Sequence, residues 1–289
     1  MIVEIDSPEY PELLKKIEHP PQRLYYKGSW DNAIFEKCLA VVGSRKMSNY
    51  GKQITNKLVS EIAQAGITIV SGFMYGVDAT AHKAALEAGG KTIAVMPCGI
   101  EMIHPERQEN LYKEILENKG LIISELEGAH PPALWTYPRR NRIMAGLSIA
   151  TLVIEAGLKS GSLITAALAR KYKRRLFAVP GPLTSSLSQG TLELIKEGAD
   201  VVISAQDVLQ CYGLKAPEEL SGAAASSSAP FSILSKLEQN ILEKLRQEPL
   251  EIDALSRMAK VSASEMGTTL SLMELKGLLT KEEGRYYVK

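Results

Sequence analysis

Residues 137–166 read YPRRNRIMAGLSIATLVIEAGLKSGSLITA, and the fold is decided by how this stretch is parsed. Arg139, Arg140 and Arg142 crowd into four residues, ATLVIEA (150–156) follows as an apolar run, and Ser160-Gly161-Ser162 then opens a helix. A short, uninterrupted apolar run ending in small residues is the pattern of a strand buried on both faces. The first amides of a helix lack intrahelical partners and carry partial positive charge, so the turn at 160–162 can hold an anion. The segment is therefore a basic platform, a buried strand and an anion-holding helix start. Its neighbours should supply the rest of a sheet.

They do so in both directions. Upstream, LAVVG (39–43), ITIVSG (67–72), TIAVMP (92–97) and LIISE (121–125) are strand-like. They alternate with helical patterns over 52–65, where Ile54, Leu58 and Ile62 share a face, 77–88 and 106–118. A loop carrying Pro131, Pro132 and Pro138 precedes a short helix. Downstream come a helix at 162–172, the strand LFAVPG (176–181), a helix at 191–197 and the strand ADVVIS (199–204). Strands alternating with helices at this spacing predict an α/β, Rossmann-like, doubly wound and largely parallel sheet over 38–213, with ligands at the carboxyl ends of its strands. Residues 1–37, with prolines at 8, 11, 20 and 21 and one short helix at 12–17, are expected to form an N-terminal collar or arm without chemistry of its own. APEELSGAAASSSAP (216–230) marks a flexible linker over 214–230. Helical patterns at 233–246, 252–258 and 264–276, then the hairpin KEEGRYYVK (281–289), predict a small winged-helix domain over 231–289.

Composition narrows the function classes. With 289 residues, 45% apolar and 23% charged, the chain is an ordinary globular protein with room for one large and one small domain. A net charge of +1 gives no global field for nucleic acid, so any basic surface must be local. Cys38, Cys98 and Cys211 are far apart and outside any CxxC spacing, which argues against a zinc site or a disulfide framework and suits a reducing compartment. No metal or cofactor is expected. Asp6 and Glu9 interrupt the N-terminus, so neither a signal peptide nor a membrane span is expected there, and the expected location is cytoplasmic.

Each predicted strand ends in a turn of small residues, including Gly43-Ser44-Arg45, Ser71-Gly72, Ala156-Gly157 and Pro180-Gly181. Taken singly, such turns satisfy the need of a parallel sheet for tight connections. In a row along one sheet edge, with Arg45 in the first, they favour phosphate binding. GSRKMSNYG lacks the second glycine of the dinucleotide fingerprint, and GxxxxGK[ST] is absent, which disfavours an NAD enzyme and an NTPase. Trp135 and Tyr137 beside Arg139, Arg140 and Arg142 are what a single strand needs, rings for bases and guanidinium groups for phosphates. The run Arg170, Lys171, Lys173, Arg174, Arg175 is a second basic patch, or equally a solvated helix end favoured by the dipole. Likewise Arg139 or Arg140 can instead pair with Glu125 or Glu155. Asp78 and His82, four apart on one helix, are either an acid–base pair or a cap with a hydrogen-bonded histidine, the second being favoured. The winged helix balances nine basic against nine acidic residues over 231–289, which favours protein contact over duplex grooves.

These motifs together resemble the DNA-processing protein A family (DprA, also called Smf). The matching pieces are VGSRKMSNYG (42–51), SGFMYGVDATAH (71–82), GGKTIAVMPCG (89–99), IISELEGAHPP (122–132), YPRRNRIMAGLS (137–148), VIEAGLKSGSLITAALA (153–169), RLFAVPG (175–181) and SQGTLELIKEGA (188–199). The resemblance implies a non-enzymatic, dimeric mediator that binds and protects incoming single-stranded DNA and loads a RecA-type recombinase in natural transformation. It implies DNA contacts from Ser44 and Arg45, from Arg140, Asn141 and Arg142, and from Ser160, Gly161, Ser162 and Thr165. Trp135, Tyr137, Arg139 and Lys171 join them from the basic–aromatic reading. Met74-Tyr75 and Thr191 stand where the family usually keeps smaller residues and asparagine. Many members carry a further N-terminal domain resembling a sterile alpha motif, whereas here the collar alone is expected. The alternative is a nucleotide-processing enzyme of the phosphoribohydrolase type, which needs a PGGxGTxxE motif. EAGLKSGS and VPGPLTSS carry neither its GT nor its following acid.

Overall fold

The computed structural model describes residues 1–215, 236–247, 250–259, 261–275, 278–282 and 284–288. The expected linker lies almost wholly outside the described residues. The chain forms two compact units, Met1–Ala224 and Ala225–Lys289.

In the first unit nine strands make one sheet. They are β1 (Ile2–Glu4), β2 (Arg23–Gly28), β3 (Cys38–Val42), β4 (Thr68–Ser71), β5 (Thr92–Val95), β6 (Leu121–Ser124), β7 (Ala150–Val153), β8 (Arg175–Ala178) and β9 (Asp200–Val201), in the order β1-β2-β6-β5-β4-β3-β7-β8-β9. Strands β3 to β9 run parallel, with Leu39 opposite both Ile69 and Ala150. Every residue of β3 to β7 is buried, as their unbroken apolar runs require.

The helices are α1 (Glu12–Lys15), α2 (Asn49–Gln64), α3 (Val77–Glu87), α4 (Glu109–Glu117), α5 (Thr136–Leu147), α6 (Ser162–Lys171), α7 (Gln189–Lys196) and α8 (Ala205–Leu209). Alternation along β3 sorts them into two layers. Leu39 and Val41 meet Leu58 and Ile62 of α2, whereas Cys38, Ala40 and Val42 share a core with Ile143 of α5 and Ala166 of α6. The chain winds outward from β3 to β6 and returns to place β7 on the other side of β3. The strand order reverses there, so a crevice opens between the loops that leave β3 and β7.

Beside β9, which is confined to Asp200–Val201 rather than 199–204, the structure departs from the sequence expectations in three places. The arm at 1–37 supplies two strands, β2 pairing antiparallel with β6 (Tyr25↔Ser124) and β1 with β2, which covers an edge that β6 would otherwise expose. Helix α2 begins at Asn49 rather than 52, because Ser48 caps it and the carboxylate of Glu155 sits on the same end. Helix α5 begins at Thr136, so Pro138 lies in its first turn, where its missing amide costs nothing, rather than in the preceding loop.

The second unit contains α9 (Lys236–Gln247), β10 (Leu250–Glu251), α10 (Ile252–Ala259), α11 (Ala263–Leu275), β11 (Leu279–Glu282) and β12 (Arg285–Val288). Its three strands follow the order β10-β12-β11 around a core that includes Leu242, Leu255, Leu270 and Tyr286. Gly284 turns the β11–β12 hairpin at φ 85°. Among the described residues of this unit, three helices and a hairpin make the winged helix that the sequence predicts.

Candidate nucleic-acid interface

The switch-point crevice is a cleft of about 660 Å³. Gly43, Ser44 and Arg45 enter from the turn after β3, Tyr137, Arg140 and Asn141 from α5, and Ser160, Gly161, Ser162 and Thr165 from the start of α6. Nine of the thirteen residues nominated from the sequence therefore share one wall system: Ser44, Arg45, Tyr137, Arg140, Asn141, Ser160, Gly161, Ser162 and Thr165.

Local chemistry positions each group. The hydroxyl of Ser44 donates to the Lys46 carbonyl at 2.9 Å and accepts from the Lys46 amide at 3.1 Å, which tightens the turn and leaves Arg45 exposed at its tip. Gly76, at φ 77°, lets α3 approach: a Cβ there would lie 2.2 Å from the Ser44 carbonyl oxygen. Arg45 stacks its guanidinium over the Tyr137 ring at 4.9 Å, and the Tyr137 hydroxyl shares a 2.9 Å hydrogen bond with His104 Nε2. Burial, then the charge of Arg45, lowers the pKa of His104, so the ring is neutral near pH 7. At the head of α6 the hydroxyls of Ser160 and Ser162 bond at 2.8 Å. Thr165 Oγ1, at the same helix start, is buried with no hydrogen-bond partner in the protein.

Arg140 differs from Arg45. It is buried, and its Nη1 donates to the carbonyls of Gly72 and Val95 at the ends of β4 and β5. Its Nε donates to Asn141 Oδ1 at 3.3 Å, and Asn141 Nδ2 donates to the Gly161 carbonyl at 3.4 Å. The guanidinium faces Asp78, and the absent side chain of Gly72 makes room for both. A Cβ there would meet Asp78 Oδ2 at 2.5 Å and Arg140 Nη1 at 2.6 Å. Burial raises the pKa of Asp78 and lowers that of Arg140 to about 10, in each case against the pull of the partner's charge. Desolvation thus outweighs attraction, yet Arg140 keeps its proton at neutral pH. Asp78 bonds the Met74 amide at 3.3 Å, while His82 bonds Thr92 Oγ1 at 2.7 Å and is held neutral by burial, its pKa lowered to about 3. His82 thus sits in a hydrogen-bond network, as favoured from the sequence, whereas Asp78 does not cap α3, whose N-cap is Gly76.

Four nominated residues lie elsewhere. Arg139 and Arg142 both bind Glu125, Arg139 through Nε at 2.9 Å and Nη2 at 3.0 Å, which realises the ion-pair alternative. Trp135 precedes α5, half exposed, with Arg139 5.6 Å above its ring. Lys171 pairs with Glu18 of the arm. The three arginines of that basic run are similarly engaged, Arg170 with Glu197, Arg174 with the Leu13 carbonyl at 3.0 Å and Arg175 with Asp200 at 2.6 Å. Glu155 is buried against α2, accepting from the Ser48 amide at 2.8 Å, and does not line the cleft.

Lys46 and Lys159 line the cleft, both exposed, and went unselected in the sequence. Each is one residue from a nominated turn residue, Arg45 or Ser160, and that adjacency was the available signal. Arg45, Lys46, Arg140 and Lys159 oppose a single lining carboxylate, Asp78. Among the described residues no group of three or more His, Cys, Asp or Glu could hold a metal ion, and no helix is long and apolar enough to cross a membrane.

Known proteins resemble this chain over most of its length. Residues 1–213 match the DNA recombination-mediator protein A family and residues 223–285 the DprA winged helix domain. The Smf protein of Escherichia coli is 36% identical, covering 99% of this chain and 76% of its own. The DNA processing protein DprA of Streptococcus pneumoniae is 42% identical, covering 69% and 70%. Its X-ray structure superposes with a TM-score of 0.69 at 39% identity, over 73% of each chain. DNA processing protein A of Helicobacter pylori, whose structure concerns its single-stranded DNA binding mode, gives a TM-score of 0.65 at 33% identity, over 73% of this chain and 95% of its own. The chain belongs to the DNA recombination-mediator protein A family, with the winged-helix domain of DprA at its C-terminus.

Proposed function

We propose that the cleft binds single-stranded DNA and that the chain acts as a recombination mediator: a homodimer that protects an incoming strand and loads a RecA-type recombinase onto it during natural transformation. The observation that carries the binding step is the cleft's make-up. Three exposed cations, Arg45, Lys46 and Lys159, surround the serine turn that opens α6 at the carboxyl ends of the strands. Such a site offers amides, hydroxyls and charge to phosphates without a pocket fingerprint for a mononucleotide. Family membership supports the mediator role, and the Helicobacter pylori relative supports the choice of ligand. We read the site as a binding site rather than an active one, since the buried Glu155 carboxylate is committed to Ser48.

Salt-titrated binding to an oligonucleotide tests this reading. Each phosphate contact contributes about 0.7 to the slope of log K against log salt for a single strand. Arg45→Ala and Lys159→Ala should each weaken binding and flatten the slope by about that amount. Unchanged affinity in both folded variants would overturn the assignment of the cleft. Recombinase loading is checked separately by filament assembly on protein-coated strands, and dimerisation by sedimentation.

A further inference from the structure

Helix α5 has two flanks, and only one of them faces the cleft. Tyr137, Arg140 and Asn141 line the cleft, whereas Arg139 and Arg142 line a second basin of about 550 Å³ between α5 and the N-terminal arm. Its other walls are Arg23, His19 and Tyr25 of the arm, with Glu125 from the loop after β6. Three arginines against one glutamate leave its lining at +2 with histidine neutral (3 − 1).

The basin is ordered for an anion. Glu125 grips both Arg139 and Arg142, so their guanidinium groups are fixed in direction while one carboxylate cancels only one of the charges. Arg142 Nη1 is buried and has no hydrogen-bond partner, a charged donor that lacks an acceptor. Arg23 touches Glu4 at 3.2 Å, but both side chains are more than half exposed and the pair is readily exchanged. Between basin and cleft stands the N-terminus of α5, where Leu134 and Trp135 are 92% and 51% exposed. An exposed indole beside an arginine is a platform on which any base can stack.

Resting on the strand-binding reading of the cleft, we propose that a bound single strand continues over Leu134 and Trp135, round the head of α5, into this basin, where Arg23, Arg139 and Arg142 take its phosphates. The N-terminal arm then becomes part of the binding surface. A helix with its side chains is about 10–12 Å across, so a strand confined to the cleft does not reach the basin and a longer one does.

Oligonucleotide length separates the two sites. The full chain, Arg23→Ala, Arg23→Glu, Arg23→Lys and Arg45→Ala are compared on oligothymidylates of about 4 and about 12 nucleotides, within the range of single-strand site sizes. On the short strand Arg23→Ala should match the parent protein. On the long one it should bind about fivefold more weakly, with a salt slope flatter by about 0.7. Arg23→Glu should be weaker still, and Arg23→Lys close to the parent. Arg45→Ala should weaken both lengths. If the Arg23 variants change neither length, the basin is overturned while Arg45→Ala still reports on the cleft. If they weaken both lengths equally, the continuation is overturned, because the arm then acts through the cleft. Loss with Arg23 variants but none with Arg45→Ala would count against the cleft reading instead.

Discussion

At the residue scale, two arginines lining one cleft do unlike work. Arg45 is exposed, stacked on Tyr137 and free to meet a phosphate, whereas Arg140 is buried and bonded to two strand-end carbonyls. Removing a phosphate contact lowers both affinity and salt slope, while removing a buried positioning group lowers affinity by disordering what it holds. Arg140→Met should therefore weaken strand binding with the salt slope little changed, and should destabilise the fold by about 3–5 kcal/mol at neutral pH by leaving the Asp78 carboxylate uncompensated. Asp78 already has a raised pKa from burial, and without Arg140 it rises further. The native variant then binds a proton that the unfolded chain releases, so lowering the pH toward the ordinary carboxylate range recovers part of the loss. Denaturant titrations at two pH values check the sign. Arg140→Met/Asp78→Asn should be more stable than Arg140→Met at neutral pH.

At the element scale, the N-terminus of α2 shows how a carboxylate at the carboxyl end of a strand can be occupied structurally. Glu155 Oε2 accepts from the Ser48 amide at 2.8 Å, and Oε1 takes the Ser48 hydroxyl at 2.5 Å. Ser48 in turn caps the Gly51 amide at 3.1 Å. The negative charge also opposes the positive end of the helix dipole. Glu155→Gln should cost about 1 kcal/mol of stability, measured by thermal or chemical unfolding, from loss of that charge. Strand affinity should stay near that of the parent protein. A nucleoside monophosphate cleaved by the parent but not by Glu155→Gln would instead point to the phosphoribohydrolase reading.

For the whole molecule, charge divides the labour between the units. The cleft gathers four cations around one acid, whereas residues 231–289 balance nine basic with nine acidic residues. Counterion release requires net positive surface, so the winged helix should add little to strand binding. A chain ended at residue 230 should keep the preference for single-stranded over duplex DNA and most of the affinity of the full chain in a mobility-shift assay. A large loss of single-strand affinity would assign DNA contact to the C-terminal unit.

The sequence by itself determined the elements and their class. Burial on both faces makes a parallel strand apolar throughout, so LAVVG and ATLVIEA declare themselves locally, and the turns GSR and SGS mark where such strands end. Tertiary structure alone decided which side of α5 each arginine occupies, that Glu125 receives two of them, and that the arm extends the sheet through β2. These outcomes depend on helix phase and on strand neighbours about a hundred residues away, as between Tyr25 and Ser124. No local pattern encodes them, because the same arginine-rich turn satisfies a phosphate, a carboxylate or a backbone carbonyl equally well until packing chooses one.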